Sequence, residues 1–206
     1  MTRRGGARRR RSVGADSRKD RQMAELTIVG IAGSLRKGSF NQALLDTAAD
    51  IGPDYGLAIE TFDIAPIPFY DRDLEEDGDP DAVAELKRRI GEADGVLIAT
   101  PEYCHSIPGV LKNTLDWLSR PPGESVLQDK PVTMMGASPS PVGTARAHLD
   151  LRKVLQYTKS DIVAKPEVLV SSAPDKFEDG RLISETSLGF MRDLLEVFAD
   201  HIRGRE

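Results

Sequence analysis

The chain has 206 residues, of which 39% are hydrophobic, and its formal net charge at pH 7 is −5. This length and apolar content suit one domain with a substantial core. No apolar run approaches the roughly 18 residues that cross a bilayer, and the single cysteine excludes an internal disulfide framework and a multi-cysteine metal site. We therefore expect a cytoplasmic protein that does not enter a membrane.

Charge is unevenly distributed along the chain. Residues 1–22 contain nine Arg or Lys and two Asp, a net charge of +7, so the remainder carries −12. Because this segment has almost no apolar residues, we expect a disordered basic extension that precedes a folded domain over residues 23–206. A solvated extension is the favoured interpretation, and a targeting segment or an arm that binds nucleic acid or lipid remains open. The acidic body itself is a poor surface for nucleic acid.

After the basic extension, short apolar runs alternate with longer segments of helical periodicity. This alternation predicts a parallel sheet covered by helices on both faces. The predicted strands are residues 26–32, 57–62, 95–100, 131–136 and, with a weaker pattern, 166–170. The predicted helices are residues 41–51, 80–93, 108–119, 144–155 and 184–202. A doubly wound sheet of this size commonly has the strand order 2-1-3-4-5, with its ligand outside the carboxyl ends of the strands.

The turn after the first predicted strand has the composition of a phosphate site. It runs Gly-Ser-Leu-Arg-Lys-Gly-Ser-Phe-Asn, from Gly33 to Asn41. Its glycines let backbone N–H groups approach an anion, and the hydroxyls of Ser34 and Ser39 and the Asn41 amide can donate hydrogen bonds. Arg36 adds a charged fork suited to phosphate oxygens. The turn lacks the spacing of nucleotide and dinucleotide loops, so we predict a single phosphate; the alternative is an ordinary polar turn with a serine cap.

Aromatic and polar residues also follow the third and fourth predicted strands. The third leads into Pro-Glu-Tyr-Cys-His-Ser, residues 101–106, and the fourth into Ala-Ser-Pro-Ser-Pro-Val-Gly, residues 137–143. Tyr103 offers a ring face, Pro101 stiffens the backbone, and Glu102 can bond a polar ring edge. This combination suits a flat heteroaromatic ligand. The alternative for Tyr103 is partial burial or a subunit contact.

Two long motifs resemble the NADPH-dependent FMN reductase family, and within it the chromate and quinone reductases. One is the turn over residues 33–41; the other is Thr-Pro-Glu-Tyr at residues 100–103 with its continuation over residues 106–120. The resemblance extends over roughly residues 24–203. It implies a flavodoxin-like α/β fold with one FMN per subunit, NADPH or NADH as the electron donor, and a homodimer or homotetramer.

On the matching positions, the resemblance implies two groups of cofactor-binding residues. The group around the FMN phosphate comprises Ser34, Leu35, Arg36, Ser39, Phe40 and Asn41. The group along the ribityl chain and the isoalloxazine comprises Pro101, Glu102, Tyr103, Cys104 and His105, with Ser138 at the ring edge. His105 is also a candidate contact for a substrate or a nicotinamide phosphate. No catalytic acid, base or nucleophile is assigned, because hydride chemistry belongs to the cofactor.

Two features depart from the family or extend beyond its motifs. Family members commonly have Asn where this chain has Cys104, and a thiol is a weak hydrogen-bond partner; we interpret Cys104 either as a small space-filling residue or as a reactive thiol beside the flavin. The ordinary interpretation of the acidic loop over residues 71–77 is a solvated charged loop; the resemblance implies a subunit contact instead, with Arg146 and Arg152 as its candidate partners.

The predicted function is transfer of electrons from NAD(P)H through bound FMN to a small-molecule acceptor. Quinones, chromate and azo or nitro compounds are the candidate acceptors. The alternative is an FMN-binding electron carrier or redox sensor without substantial NAD(P)H turnover. The sequence has no metal-ligand spacing and no Gly-x-Ser-x-Gly nucleophile motif.

Overall fold

A computed structural model describes residues 25–205 of the chain. The predicted basic extension over residues 1–22 lies outside this part, so its disorder and its role remain predictions. Within the described part, strands and helices alternate as the sequence pattern predicts.

In residues 25–205, five parallel strands form the central sheet. They are β1 (Leu26–Ala32), β2 (Leu57–Phe62), β3 (Gly95–Ala99), β4 (Pro131–Ala137) and β5 (Asp161–Val170). Their spatial order is β2-β1-β3-β4-β5, with parallel pairing throughout. This confirms the predicted flavodoxin-like order and places the carboxyl ends of β1, β3 and β4 side by side at one edge of the sheet.

The same described range contains six α-helices, and all but the shortest pack on the faces of the sheet. They are α1 (Phe40–Ile51), α2 (Arg72–Glu76), α3 (Asp81–Glu92), α4 (Gly109–Leu118), α5 (Ala145–Tyr157) and α6 (Glu185–Arg203). Helices α1 and α6 form the core on one face, and α3, α4 and α5 form the core on the other. Strand residues alternate between the two cores, so Ile28 packs with the first group of helices and Val29 with the second. The central strands are therefore buried on both sides, as their continuous apolar runs predict.

The structure differs from the predicted elements in three places. Strand β5 begins at Asp161 rather than at residue 166, because this sheet-edge strand is only partly buried at its start and lacks a continuous apolar run. The single-turn helix α2 and a short hairpin of β6 (Phe177–Glu178) and β7 (Arg181–Leu182) were not predicted. Elements this short carry too little hydrophobic periodicity to be recognised in a sequence.

Among the helices of residues 25–205, none has both the length and the hydropathy that crossing a bilayer requires. The same residues contain no cluster of three or more His, Cys, Asp or Glu arranged to hold a metal ion.

A buried histidine in α5 makes the stability of the fold depend on pH. His148 is 1% exposed, and within the described chain neither ring nitrogen has a hydrogen-bond partner of standard geometry. The pKa of His148 is lowered to about 4, mainly by burial and also by the nearby Arg152 guanidinium, while the backbone of Met135 opposes the change. The imidazole is therefore neutral in the folded protein at neutral pH.

We expect His148 to destabilise the fold as the pH falls from about 6.5 towards 4. The unfolded chain binds a proton at this ring near pH 6.5, whereas the folded chain binds it only near pH 4, so acidification through this window favours unfolding. One pKa unit corresponds to about 1.4 kcal/mol, which gives a loss of about 2 kcal/mol between pH 7 and 4.5. Urea unfolding of the wild type and of His148→Gln at both pH values measures this difference. Equal losses in the two proteins would contradict the assignment.

Candidate functional site

The loops that follow β1, β3 and β4 enclose a cavity at the carboxyl edge of the sheet. Its volume is about 360 Å³. The lining residues are Ser34, Arg36, Ser39, Phe40, Asn41, Pro101, Tyr103, Ala137 and Pro139. The structure thus brings together predicted site residues that are separated by about 60 positions in the sequence.

One end of the cavity is built on the N-terminus of α1. Ser39 caps this helix, and its Oγ accepts hydrogen bonds from the backbone N–H groups of Asn41 at 3.2 Å and Gln42 at 3.4 Å. Because the hydroxyl accepts these bonds, its own proton remains available to a ligand. The positive end of the helix dipole also favours an anion here. Gly38 precedes the cap at a φ of +69°, a conformation that glycine adopts without strain.

Arg36 brings positive charge to the same end. Its guanidinium lies 5.3 Å from the centroid of the Phe40 ring. No ion pair among residues 25–205 involves Arg36, although most other arginines of that range are paired with a carboxylate. Ser34 Oγ accepts the backbone N–H of Arg36 at 3.4 Å and helps to shape the turn. The turn therefore presents an uncompensated cation beside a helix N-terminus.

Asn41 has a structural role that the sequence did not reveal. Its Nδ2 donates to the Ala137 carbonyl oxygen at 2.9 Å, and its Oδ1 accepts from the Ala137 backbone N–H at 2.8 Å. The buried side chain therefore joins the loop after β1 to the end of β4. Only the second N–H of this amide is left for the predicted contact with a phosphate.

The other end of the cavity is lined by Pro101, Tyr103 and Pro139. Tyr103 is half exposed, so its ring is accessible from solvent. The predicted side-chain contact between Glu102 and a flavin ring is not supported, because the Glu102 carboxylate turns towards α5 and bonds its backbone. Ser138 is also buried, and its Oγ accepts a hydrogen bond from the Ser140 backbone N–H at 3.1 Å. Its chain neighbours Ala137 and Pro139 line the cavity, whereas Ser138 does not.

Cys104 and His105 occupy a tight turn at the rim of the cavity. The backbones of Tyr103 and Ser106 exchange hydrogen bonds of 3.0 and 2.9 Å, and the two residues between them have φ angles of 50° and 62°. Consecutive positive φ angles are typical of a type I′ turn, which favours Asn at its first central position. This backbone conformation explains why Asn is common in family members at the position that Cys104 occupies here. Both side chains are exposed and neither lines the cavity.

Leu35, predicted to belong to the phosphate turn, does not line the three-loop cavity. Leu35 is half exposed and lines a neighbouring cavity of about 420 Å³ that opens towards the loop after β2.

The two arginines proposed as partners of the acidic loop already form ion pairs within the chain. Arg146 pairs with Glu102 at 3.1 Å, and Arg152 pairs with Glu167 at 2.6 Å. Within the chain, Glu75 of the acidic loop pairs with Arg120 at 2.8 Å; the predicted contact of this loop with another subunit stays a prediction.

The two ends of the cavity fit the two ends of FMN. An unpaired guanidinium, a serine hydroxyl and a helix N-terminus suit a phosphate. An exposed aromatic ring and two prolines suit a flat heterocycle. The sequence profile of NADPH-dependent FMN reductases matches residues 26–175, which include all three loops. The chain belongs to the NADPH-dependent FMN reductase family.

Other members of the FMN reductase family align with nearly their whole length. An NAD(P)H-dependent FMN reductase of Pseudomonas aeruginosa is 41% identical over 180 residues, which cover 87% of this chain and 96% of the relative. A quinone reductase of Escherichia coli K12 is 38% identical over 182 residues, which cover 87% of this chain and 96% of the relative. The solved structure of FerB, a flavoenzyme NAD(P)H:(acceptor) oxidoreductase from Paracoccus denitrificans, matches with a TM-score of 0.79 and 32% identity. The match covers 87% of this chain and 98% of FerB.

Proposed function

We propose that this protein is an NAD(P)H-dependent oxidoreductase that holds FMN in the three-loop cavity and reduces quinones. The observation that carries the proposal is the division of this cavity into a cationic end and an aromatic end. FMN, when bound, supplies the chemistry by accepting a hydride from NAD(P)H and passing electrons to the acceptor. The protein's contribution is to bind and orient this cofactor and leave one ring face accessible.

The lining residues divide this work between them. Arg36 and Ser39 bind the phosphate and fix the cofactor along the sheet edge. Pro101, Tyr103 and Pro139 orient the ring. Among the described residues that line the cavity there is no Asp, Glu, His or Cys. Reduction of a quinone to a hydroquinone takes up two electrons and two protons; the hydride of NAD(P)H accounts for both electrons and one proton, and we assign the second proton to solvent.

The ring end of the cavity favours a flat, uncharged acceptor. Among residues 25–205, the side chains that line this end carry no charge, and the one lining cation, Arg36, lies at the phosphate end. This arrangement supports quinones over chromate, which is an anion, and leaves azo and nitro compounds as secondary acceptors. The quinone reductase named among the relatives supports the same choice.

Assembly and location complete the proposal. The large apolar side chains of Phe69, Leu149 and Tyr157 are 84%, 57% and 74% exposed, and such surfaces are common at subunit contacts. They support a homodimer or homotetramer, which sedimentation of the FMN-loaded protein tests.

The exposed free thiol of Cys104 supports a reducing compartment, the cytoplasm.

Steady-state turnover of the FMN-loaded protein tests the enzymatic function. We expect NADH or NADPH to be oxidised in proportion to added benzoquinone, and the absorption bands of bound flavin to bleach with the donor and return with the acceptor. Binding of FMN without any donor-dependent quinone reduction would leave the electron carrier as the correct function. Failure to bind FMN at all would refute both.

A further inference from the structure

A shielded carboxylate connects the two loops that form the ring end of the cavity. Glu102 lies between Pro101 and Tyr103, both of which line the cavity, but its side chain points to α5. Oε2 accepts the backbone N–H groups of Arg146 at 2.9 Å and Ala147 at 3.3 Å, and Oε1 accepts from the Arg146 guanidinium at 3.1 Å. The loop after β3 is thereby fastened to the helix that follows the loop after β4.

Glu102 provides a cap that α5 does not obtain from its own sequence. Thr144 is in the N-cap position, yet its side chain makes no capping hydrogen bond and its Oγ1 has no partner in the described part of the chain. A cap normally accepts from the second and third backbone N–H groups of a helix. In α5 these belong to Arg146 and Ala147, the two groups that Glu102 accepts.

The Glu102 carboxylate is charged although it is nearly enclosed. Its side chain is 6% exposed. Burial raises the pKa of Glu102, but the hydrogen bonds from the Arg146 guanidinium and from the backbone N–H groups of Ala147 and Arg146 outweigh burial and leave the pKa below its usual range. Because Glu102 is flanked in the chain by Pro101 and Tyr103, which line the cavity, the pair places one negative and one positive charge beside the cavity wall.

We propose that Glu102 is a positioning residue that caps α5 from the neighbouring loop, and that its charge and that of Arg146 together set the redox potential of the bound flavin. The inference rests on the proposed FMN site. Capping holds the loop with Pro101 and Tyr103 at a fixed distance from the loop with Pro139. The charge balance acts on the ring because electron uptake adds negative charge to it, which a nearby cation stabilises and a nearby anion opposes.

The two partners must then have opposite electrostatic effects. Glu102→Gln keeps an acceptor oxygen for α5 but leaves Arg146 uncompensated, so we expect the midpoint potential of bound FMN to become more positive. Arg146→Gln leaves Glu102 uncompensated, so the potential becomes more negative. The double variant returns towards the wild-type value. Glu102→Gln also loses the charge-assisted cap of α5, and we therefore expect its affinity for FMN to fall about tenfold.

Dye-equilibrated reductive titration of the FMN-loaded proteins measures the potential, and quenching of free FMN fluorescence measures the affinity. Arg181→Gln is the matched control, since it removes the exposed Arg181–Asp50 pair, 3.0 Å long, in which Asp50 lies at the C-terminal end of α1, opposite the end that borders the cavity; it should change neither quantity. Shifts of the same sign in both single variants, or no shift in either, would overturn the electrostatic role.

Two safeguards keep the test decisive. If Glu102→Gln does not fold, as urea unfolding of the apoprotein would show, Arg146→Gln alone must still lower the potential. A wild-type protein that does not bind FMN would refute the proposed function itself, whereas a wild type that binds FMN with unchanged variants refutes only this inference.

Discussion

Replacing Arg36 by alanine is expected to weaken FMN binding about 10- to 150-fold. Hydrogen bonds to charged groups contribute about 1.5 to 3 kcal/mol, and each 1.4 kcal/mol is a factor of ten in affinity. Arg36 has no ion pair within residues 25–205 that would compete for its guanidinium, so its full charge is available to the phosphate. Fluorescence titration of the apoprotein with FMN measures the change.

Two further variants show whether the effect is specific. Arg192→Ala removes an exposed arginine of α6 whose partner is Glu185, so FMN affinity should not change. Arg36→Lys keeps the charge but loses the planar fork, and we expect an affinity between those of the wild type and Arg36→Ala. An Arg36→Ala protein that binds FMN as tightly as the wild type would remove this residue from the site.

Replacing Gly136 by alanine is expected to lower the free energy of unfolding by about 3 kcal/mol, at the upper end of what overpacking usually costs. A Cβ at this position would lie 2.2 Å from Thr144 Oγ1 and 2.4 Å from the Thr100 carbonyl oxygen. The second contact is with backbone, so rotation of a side chain cannot relieve it. Thr100 and Thr144 border the two loops at the ring end, and FMN affinity should therefore fall as well.

Urea unfolding of the apoprotein measures the effect of Gly136→Ala. Gly189→Ala is the opposite control, because this glycine lies inside α6 and an added Cβ would meet nothing within 4 Å. Its free energy of unfolding should rise by about 0.5 to 1 kcal/mol, since alanine is the better helix former. Unchanged stability of Gly136→Ala would mean that the packing around Thr100 and Thr144 can adjust.

Much of the fold was predictable because local sequence patterns determine it. The runs around Ile28 and Leu97 are long enough to identify strands buried on both faces, and Ser39 and Ser184 each mark the start of a helix by accepting its first N–H groups. The strand order followed from a general rule about doubly wound sheets rather than from any residue.

The contacts that organise the site were not predictable from the same patterns. Asn41 bonds Ala137 across 96 residues, and Glu102 reaches Arg146 across 44. Both side chains were predicted to contact the cofactor, because their residue types suit a ligand. The same residue types also suit a backbone amide, and the sequence does not show which distant loop such a side chain reaches.

The bridge between Asn41 and Ala137 has a consequence for how the cofactor is held. The same side chain lies in the first turn of α1, the proposed phosphate site, and bonds the end of β4, where the proposed ring wall begins. An anion that orders the first turn therefore also stiffens the platform beneath the heterocycle. We therefore expect the affinity for whole FMN to exceed what its two halves contribute separately, and the affinity for riboflavin to fall by more than the lost phosphate contacts alone would explain.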